Sequence, residues 1–235
     1  MGMFDRFRKK KDHDAKMAHE LVVKGINFAK EGKLKEALAY LKTALSLNSK
    51  DVNAWVNMGS VLGMLGRHEE SLQCFDKATK LCPEHPNIWC NKGHSLRDLG
   101  RYEDALRCFE RAIKLYPRLD IAWYNKGLAL YNLHRHEEAL ECYDRAIQLE
   151  PRYADALFAK GSCLAASGRL EEALTCYDKV IEIGPESGDA RAQTLFYKGI
   201  CLMKLHRYEE AEKCIKEAKQ LAPSLVRELA TELQE

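Results

Sequence analysis

Paired carboxylates are the residues of this chain whose type and spacing most resemble chemistry. Glu69-Glu70, Glu103-Asp104, Glu137-Glu138, Glu171-Glu172 and Glu209-Glu210 are adjacent acids, and two close carboxylates can serve as general acid and base. Each pair, however, falls at the start of a predicted helix, where negative charge complements the helix dipole. Repeated at every such start, they read as structural. Nine cysteines offer a second chemistry. No two have the C-x-x-C spacing of a zinc or redox motif, and Cys74, Cys108, Cys142, Cys176 and Cys214 occupy one position of a repeating pattern. Equivalent sites on neighbouring repeats serve one role each, so a disulfide framework does not fit. They read as small, semi-buried hydrophobes in a reducing cytosol. His134 and His206 stand where other repeats have glycine. They read as helix caps, since histidine tolerates positive φ better than most residues. No P-loop, dinucleotide fingerprint, HExxH or nucleophile elbow occurs. The sequence therefore predicts no enzyme, no cofactor and no metal site.

The elements that position these residues follow from one period. Gly25, Gly59, Gly93, Gly127 and Gly161 are each 34 residues apart, and Gly199 follows after 38. Trp55, Trp89 and Trp123 precede three of these glycines by four residues, and Pro83, Pro117, Pro151, Pro185 and Pro223 follow five of them by 24. A fixed period of this length means a stacked solenoid. Numbering each repeat so that this glycine is position 8, positions 4, 8 and 11 form one helical stripe, as in Trp123, Gly127 and Leu130. This helix A, for example residues 53–65, ends near position 15 at Gly32, Gly66, Gly100 and Gly168. Helix B carries a stripe at positions 20, 24 and 27, as in Ala139, Tyr143 and Ala146. Proline at position 32 stops it. A glycine inside helix A costs up to about 1 kcal/mol relative to alanine, so its repetition predicts a neighbouring helix too close for a side chain. Trp89 is predicted to pack between repeats 2 and 3.

These residues resemble the tetratricopeptide repeat (TPR) family. The matching motif is W-x2-K-G-x2-L, A-x3-F/Y-x2-A and P, carried by Trp123, Lys126-Gly127, Leu130, Ala139, Tyr143, Ala146 and Pro151. Six repeats are predicted, at 18–51, 52–85, 86–119, 120–153, 154–187 and 192–225. Leu21 and Ser49 replace Trp and Pro in repeat 1, Ser71 and Val180 replace alanine in repeats 2 and 5, and lysine replaces leucine at position 7 in most repeats. Residues 1–17 are predicted to be a disordered arm. Residues 188–191 should lengthen a mobile connection before repeat 6. Residues 226–235 should form a capping helix, with Ser224 as its N-cap and Leu225, Leu229 and Leu233 facing inward.

The resemblance implies an all-α, right-handed solenoid whose A helices line a concave groove that binds extended or helical peptides. At 3.6 residues per turn, positions 5, 9 and 12 lie about 100° round from the buried stripe, and 2, 6 and 13 roughly opposite it. Position 6 reads Asn57, Asn91 and Asn125 in three successive repeats. An amide both donates and accepts, so such a row could grip a peptide backbone; it is similar to the asparagine ladder of TPR arrays attached to a glycosyltransferase. Three solvated asparagines in near-duplicate repeats would look the same. Positions 5, 9 and 12 read Tyr124, Leu128 and Tyr131, then Phe158, Ser162 and Ala165, then Phe196, Ile200 and Met203. These aromatics suggest an amphipathic binding patch, with part of their area touching neighbouring helices. Repeat 3 has Cys90, His94 and Arg97 there and offers a charged contact. The cochaperone clamp wants lysine at position 5 and asparagine at position 9 of a first repeat. Val22 and Ile26 stand there instead.

Bulk properties narrow the partners. Net charge is +2, so no global basic field recommends nucleic acid. No run of 18 apolar residues crosses a membrane, and no secretory signal is legible. The expected location is cytoplasmic and the expected partner an unidentified protein or peptide segment. The arm has a second reading. Met1, Met3, Phe4 and Phe7 adjoin Arg8, Lys9, Lys10 and Lys11, a combination suited to weak contact of residues 1–11 with an anionic membrane. Arg6 stands where a myristoylation signal has Ser or Thr.

Overall fold

The computed structural model describes residues 3–184 and 187–232, and the side chains of 13–184 and 187–231. Those residues form thirteen α-helices and no strand. The chain divides into two compact units, Met1–Pro117 and Arg118–Glu235. The first holds α1 (Met3–Lys30), α2 (Leu34–Leu47), α3 (Val52–Met64), α4 (His68–Leu81), α5 (Pro86–Asp98) and α6 (Tyr102–Leu115). The second holds α7 (Asp120–Asn132), α8 (His136–Leu149), α9 (Ala154–Ala166), α10 (Leu170–Ile183), α11 (Gly188–Lys204), α12 (Tyr208–Leu221) and α13 (Pro223–Glu232). Consecutive helices pair as hairpins, helix A before helix B, and each hairpin is one repeat.

The hairpin turn is set by position 15. Gly32, Gly66, Gly100 and Gly168 have φ from +71° to +77°, and His134 and His206 follow at 58° and 61°. The residue after each turn donates its amide back to helix A, as Arg67 does to the Leu62 carbonyl and Arg135 to that of Leu130, both at 2.9 Å. This closes the carbonyls left open at the helix end. The same arginine then reaches forward: Arg67, Arg135, Arg169 and Arg207 grip Glu70, Glu138, Glu172 and Glu210, and Arg101 grips Asp104. The guanidinium bonds hold all five carboxyls below the usual carboxylate range. The second acid of each pair is thus a clamped part of a helix start.

Within a hairpin, the position-8 glycine meets position 24 of its own helix B. A Cβ at Gly59 would lie 2.9 Å from Phe75, one at Gly93 2.6 Å from Phe109, one at Gly127 2.5 Å from Tyr143 and one at Gly161 2.8 Å from Tyr177. Those rings are buried, each contributing roughly 1.5–3 kcal/mol through apolar burial. The close neighbour that the glycines predicted is therefore the aromatic ring opposite.

Between hairpins, two devices recur. Trp55 and Trp89 donate their indole N–H to the position-32 carbonyls of Ser49 and Pro83, at 2.9 and 2.7 Å. Trp89 is only half-buried, not sealed in a core, and Lys92 Nζ lies 5.4 Å from its ring centre. Lysines at position 7 pair with the position-25 acid of the preceding repeat. Lys92 meets Asp76 at 2.7 Å, Lys160 meets Asp144 at 2.5 Å and Lys198 meets Asp178 at 2.6 Å. That explains the departure from leucine. The position-23 cysteines Cys74, Cys108, Cys142 and Cys176 are buried, and burial pushes the thiols of Cys74 and Cys108 up to about 11.

Three expectations are corrected. The segment predicted as a disordered arm is helical from residue 3, because α1 runs 28 residues without a break. No glycine or proline interrupts residues 3–24, and most of them favour helix. Residues 1–2 and the arm's side chains through residue 12 lie outside the described residues. Residues 188–191 do not lengthen a loop. They add about one turn to the start of α11, capped by Ser187, whose side chain accepts the Ala190 amide at 3.1 Å. Pro185 is outside the described residues. The terminal helix starts at Pro223, so Ser224 lies inside its first turn instead of capping it. Val226 and Leu229 are its buried contacts with α11 and α12, and Leu225 is only partly buried. Leu233 is outside the described residues.

Candidate functional site

The A-helix face of each unit carries a cleft. In the first unit the cleft lies between α3 and α5, with a volume of about 300 Å³. Small residues open it: Ser60 and Gly63 stand at positions 9 and 12, and Phe75 forms its floor. Asn91, His94 and Asp98 supply one wall. Asp98 is a focus of side-chain nitrogens. Arg97 Nη2 donates to its Oδ1 at 2.9 Å, and His94 Nε2 lies 3.2 Å from Oδ2. His68 Nδ1, from the start of α4, is 3.7 Å from Oδ2. That is too long for a hydrogen bond, and this buried nitrogen has no hydrogen-bond partner. Beneath the cleft Ser71 Oγ donates to the Gly59 carbonyl at 2.7 Å and lies 2.9 Å from Ser95 Oγ.

In the second unit the equivalent cleft, about 340 Å³, is lined by Tyr124, Leu128, Tyr131 and Phe158, with Asp155, Ser162 and Gln193 at its edge. Its aromatics extend into two groups of rings. Tyr124 lies 5.1 Å from Tyr153 and 6.3 Å from Tyr143, and Phe158 lies 5.7 Å from Tyr177 and 5.6 Å from Tyr197, by ring centres. Tyr177, under this cleft, shares a 3.3 Å hydroxyl contact with Ser162, and burial moves its phenol well above the ordinary range. Phe196 and Ile200 do not join the cleft. They line a separate pocket with Met203, where Phe196 is only 3% exposed.

The three asparagines do not share one setting. Asn125 is 3% exposed, and its Nδ2 donates to the Ile121 carbonyl at 2.8 Å. Asn57 donates likewise to Asn53, also at 2.8 Å. Both spend an amide donor on their own helix, whereas Asn91 lines the first-unit cleft. Arg97 bonds Asp98 and His94 next to it. Asp98, Asp155 and Gln193 were not singled out from the sequence, although positions 2 and 13 face the same side as position 6. Ser95 carried no signal of its own; only its contact with the exceptional Ser71 marks it.

Helical hairpins in tandem, joined by repeated turns and bearing clefts on one helix face, define an α-solenoid binding scaffold. Models of the tetratricopeptide repeat match residues 21–51, 50–118, 90–149, 126–188 and 192–225, and the chain belongs to that family. No curated protein matches it. Among solved structures, PilF of Pseudomonas aeruginosa is similar with a TM-score of 0.77 and 18% identity, covering 94% of this chain and 99% of that one. PilW, a type IV pilus biogenesis factor, gives a TM-score of 0.83 at 18% identity over 91% and 98%. These two share the fold. YrrB, described as a TPR protein with an unusual peptide-binding site, gives 0.61 at 25% identity over 81% and 97%. Among the described residues no helix is long and apolar enough to cross a membrane.

Proposed function

We propose that this protein is a cytoplasmic adaptor that holds a peptide or helix segment of another protein in the concave groove of its A helices. The observation that carries the reading is the second-unit cleft. Tyr124, Leu128, Tyr131 and Phe158 leave apolar area half-exposed beside Asp155 and Gln193, the mix of aromatic anchors and polar rim that concentrates binding energy. The peptide-binding site of YrrB supports it by analogy of fold. Asn91, His94 and Arg97 supply the polar contacts in the first unit. The test is affinity capture followed by calorimetry with the captured segment. Tyr131→Ala with Phe158→Ala should weaken binding at least tenfold, about 1.4 kcal/mol or more. Lys114→Ala, an exposed helix-B control, should not. Equal affinity for all three proteins would sink the groove reading.

A second reading rests on α1, which carries the basic run of residues 8–11 as helix. A helical basic segment with Phe4 and Phe7 beside it suits an anionic membrane surface, and the protein would then be a peripheral assembly adaptor. Liposome sedimentation of the full chain and of residues 13–235 separates the two.

A further inference from the structure

We infer that the C-terminal end of the second unit is a docking surface for an acidic amphipathic helix of a partner protein. This surface is distinct from the Tyr131–Phe158 cleft and does not depend on it. Two adjoining pockets, of about 680 and 540 Å³, meet at Met203, Ile215 and Lys219. The first reaches Phe196, Ile200 and Val226, between α11 and α13, and the second runs along α12 past Tyr208 and Ala211. Tyr208, Ala211, Ile215 and Lys219 follow one another at three- and four-residue steps, so the tract is a stripe along one helix face. Two of its apolar members are open, Tyr208 at 61% and Met203 at 38% exposed, and Ile200 and Ile215 are partly exposed beside them over a buried floor of Phe196, Ala211 and Val226.

The charge of the tract departs from the rest of the array. Position 25 is acidic in repeats 2 to 5, as Asp76, Glu110, Asp144 and Asp178, and is Lys216 in repeat 6. Position 28 is Leu45, Thr79, Ile113, Ile147 and Ile181 in repeats 1 to 5, and is Lys219 in repeat 6. Arg227 adds a third cation at the rim of the larger pocket. Among the described residues Lys216, Lys219 and Arg227 have no ion-pair partner, whereas Arg191 nearby on α11 is matched to Glu217 at 3.0 Å. Among the described residues Glu212 is the one acid lining either pocket. An apolar stripe edged by unmatched cations complements a helix with apolar residues at i, i+3, i+4 and i+7 and carboxylates on both flanks. The chain's own basic segment at residues 8–11 has the wrong sign for it.

The probe is a fluorescein-labelled helical peptide of about 18 leucine, alanine and glutamate residues with that stripe, beside a counterpart with lysine for every glutamate. Fluorescence anisotropy with the full chain should show saturable binding of the acidic peptide and none of the basic one. Lys219→Glu with Arg227→Glu should weaken it at least tenfold, as should Met203→Asp at an exposed position, with circular dichroism melts unchanged. Tyr131→Ala with Phe158→Ala should leave it intact, which separates this surface from the cleft. Equal binding of both peptides, no saturable binding, or indifference to the charge reversal would overturn the proposal. So would binding only by a chain ending at residue 232, which would make the tail the occupant. A dimer in light scattering that the charge reversal dissolves would make it a second copy.

Discussion

Repeats 2 and 3 of the first unit and repeats 4 and 5 of the second are the same scaffold with opposite linings. Ser60 and Gly63 at positions 9 and 12 become Leu128 and Tyr131. The buried hydroxyl pair of Ser71 and Ser95 becomes Ala139 and Cys163, and Asp98 becomes Ala166. Position 17 is histidine in both, yet His68 Nδ1 faces a carboxylate at 3.7 Å while His136 Nδ1 faces the Cys163 thiol at 3.8 Å. The helices keep the same lengths, 13 residues for helix A and 14 for helix B in all four repeats, because positions 8 and 24 fix the hairpin in each case. The repeat thus separates two tasks: one set of positions holds the helices together, and another is free to set the chemistry of the face.

The largest effect should come from breaking what the two regions share. Phe75→Ala and Tyr143→Ala each remove the ring under a cleft and should cost about 3–5 kcal/mol. Because solenoid contacts reach only to neighbours, hydrogen exchange should show Phe75→Ala unprotecting α3 to α5 and Tyr143→Ala unprotecting α7 to α9. Uniform loss along the chain would end the idea of two separately supported clefts. A smaller effect tests what differs. Ser71→Ala deprives the Ser95 hydroxyl of its partner and should cost roughly 1–3 kcal/mol in urea unfolding. Ser71→Ala with Ser95→Ala should recover part of that loss, approaching the apolar solution already used at Ala139 and Cys163. Additive losses would deny the pair any coupling. The smallest effect is common to both regions. Burial raises the thiols of Cys74, Cys108 and Cys163 from an ordinary 9.0 to about 11. A raised folded-state value means the neutral thiol is favoured by folding. That stability is full below pH 9 and is lost as pH climbs toward 11. The melting temperature should therefore fall across that window, and less so in Cys74→Ala with Cys108→Ala. A flat profile would mean these thiols ionise without cost.

What the sequence made legible was whatever one helix or one turn dictates by itself. The left-handed caps at His134 and His206, the close approach at Gly59 and the acids at helix starts are local consequences of backbone geometry. Side-chain depth was not legible to the same degree. Asn57, Asn91 and Asn125 share one position and one residue type, but how deeply each sits depends on neighbouring helices and not on its own. Asn125 is buried and Asn91 lines a cleft. Gly188 and Asp189 are compatible with loop and helix alike, so the sequence does not decide residues 188–191; a Ser187 cap and a length near 3.6 residues let them close a turn. The aromatic half of the candidate site was legible because its residues repeat at positions 5, 9 and 12. Ser95 was not, since it works through Ser71 of the preceding repeat, and Asp98 was not, since its partners Arg97 and His94 belong to repeat 3 alone.

The lysine–aspartate junctions carry an implication for how such a chain can change length. Lys92, Lys160 and Lys198 each present the same cation to the same acid of the repeat before. The match is therefore generic: it fixes which end of a repeat faces which, but not which repeat comes next. If an in-frame recombination event between near-identical stretches of the gene removed the 34 codons of repeat 3, 4 or 5, the new junction would again bring lysine against a carboxylate. Repeats 3 to 5 are interchangeable parts, whereas the ends are not. Repeat 1 has Lys42 and repeat 6 has Lys216 where interior repeats have an acid, so neither end module could be moved inward without setting cation against cation.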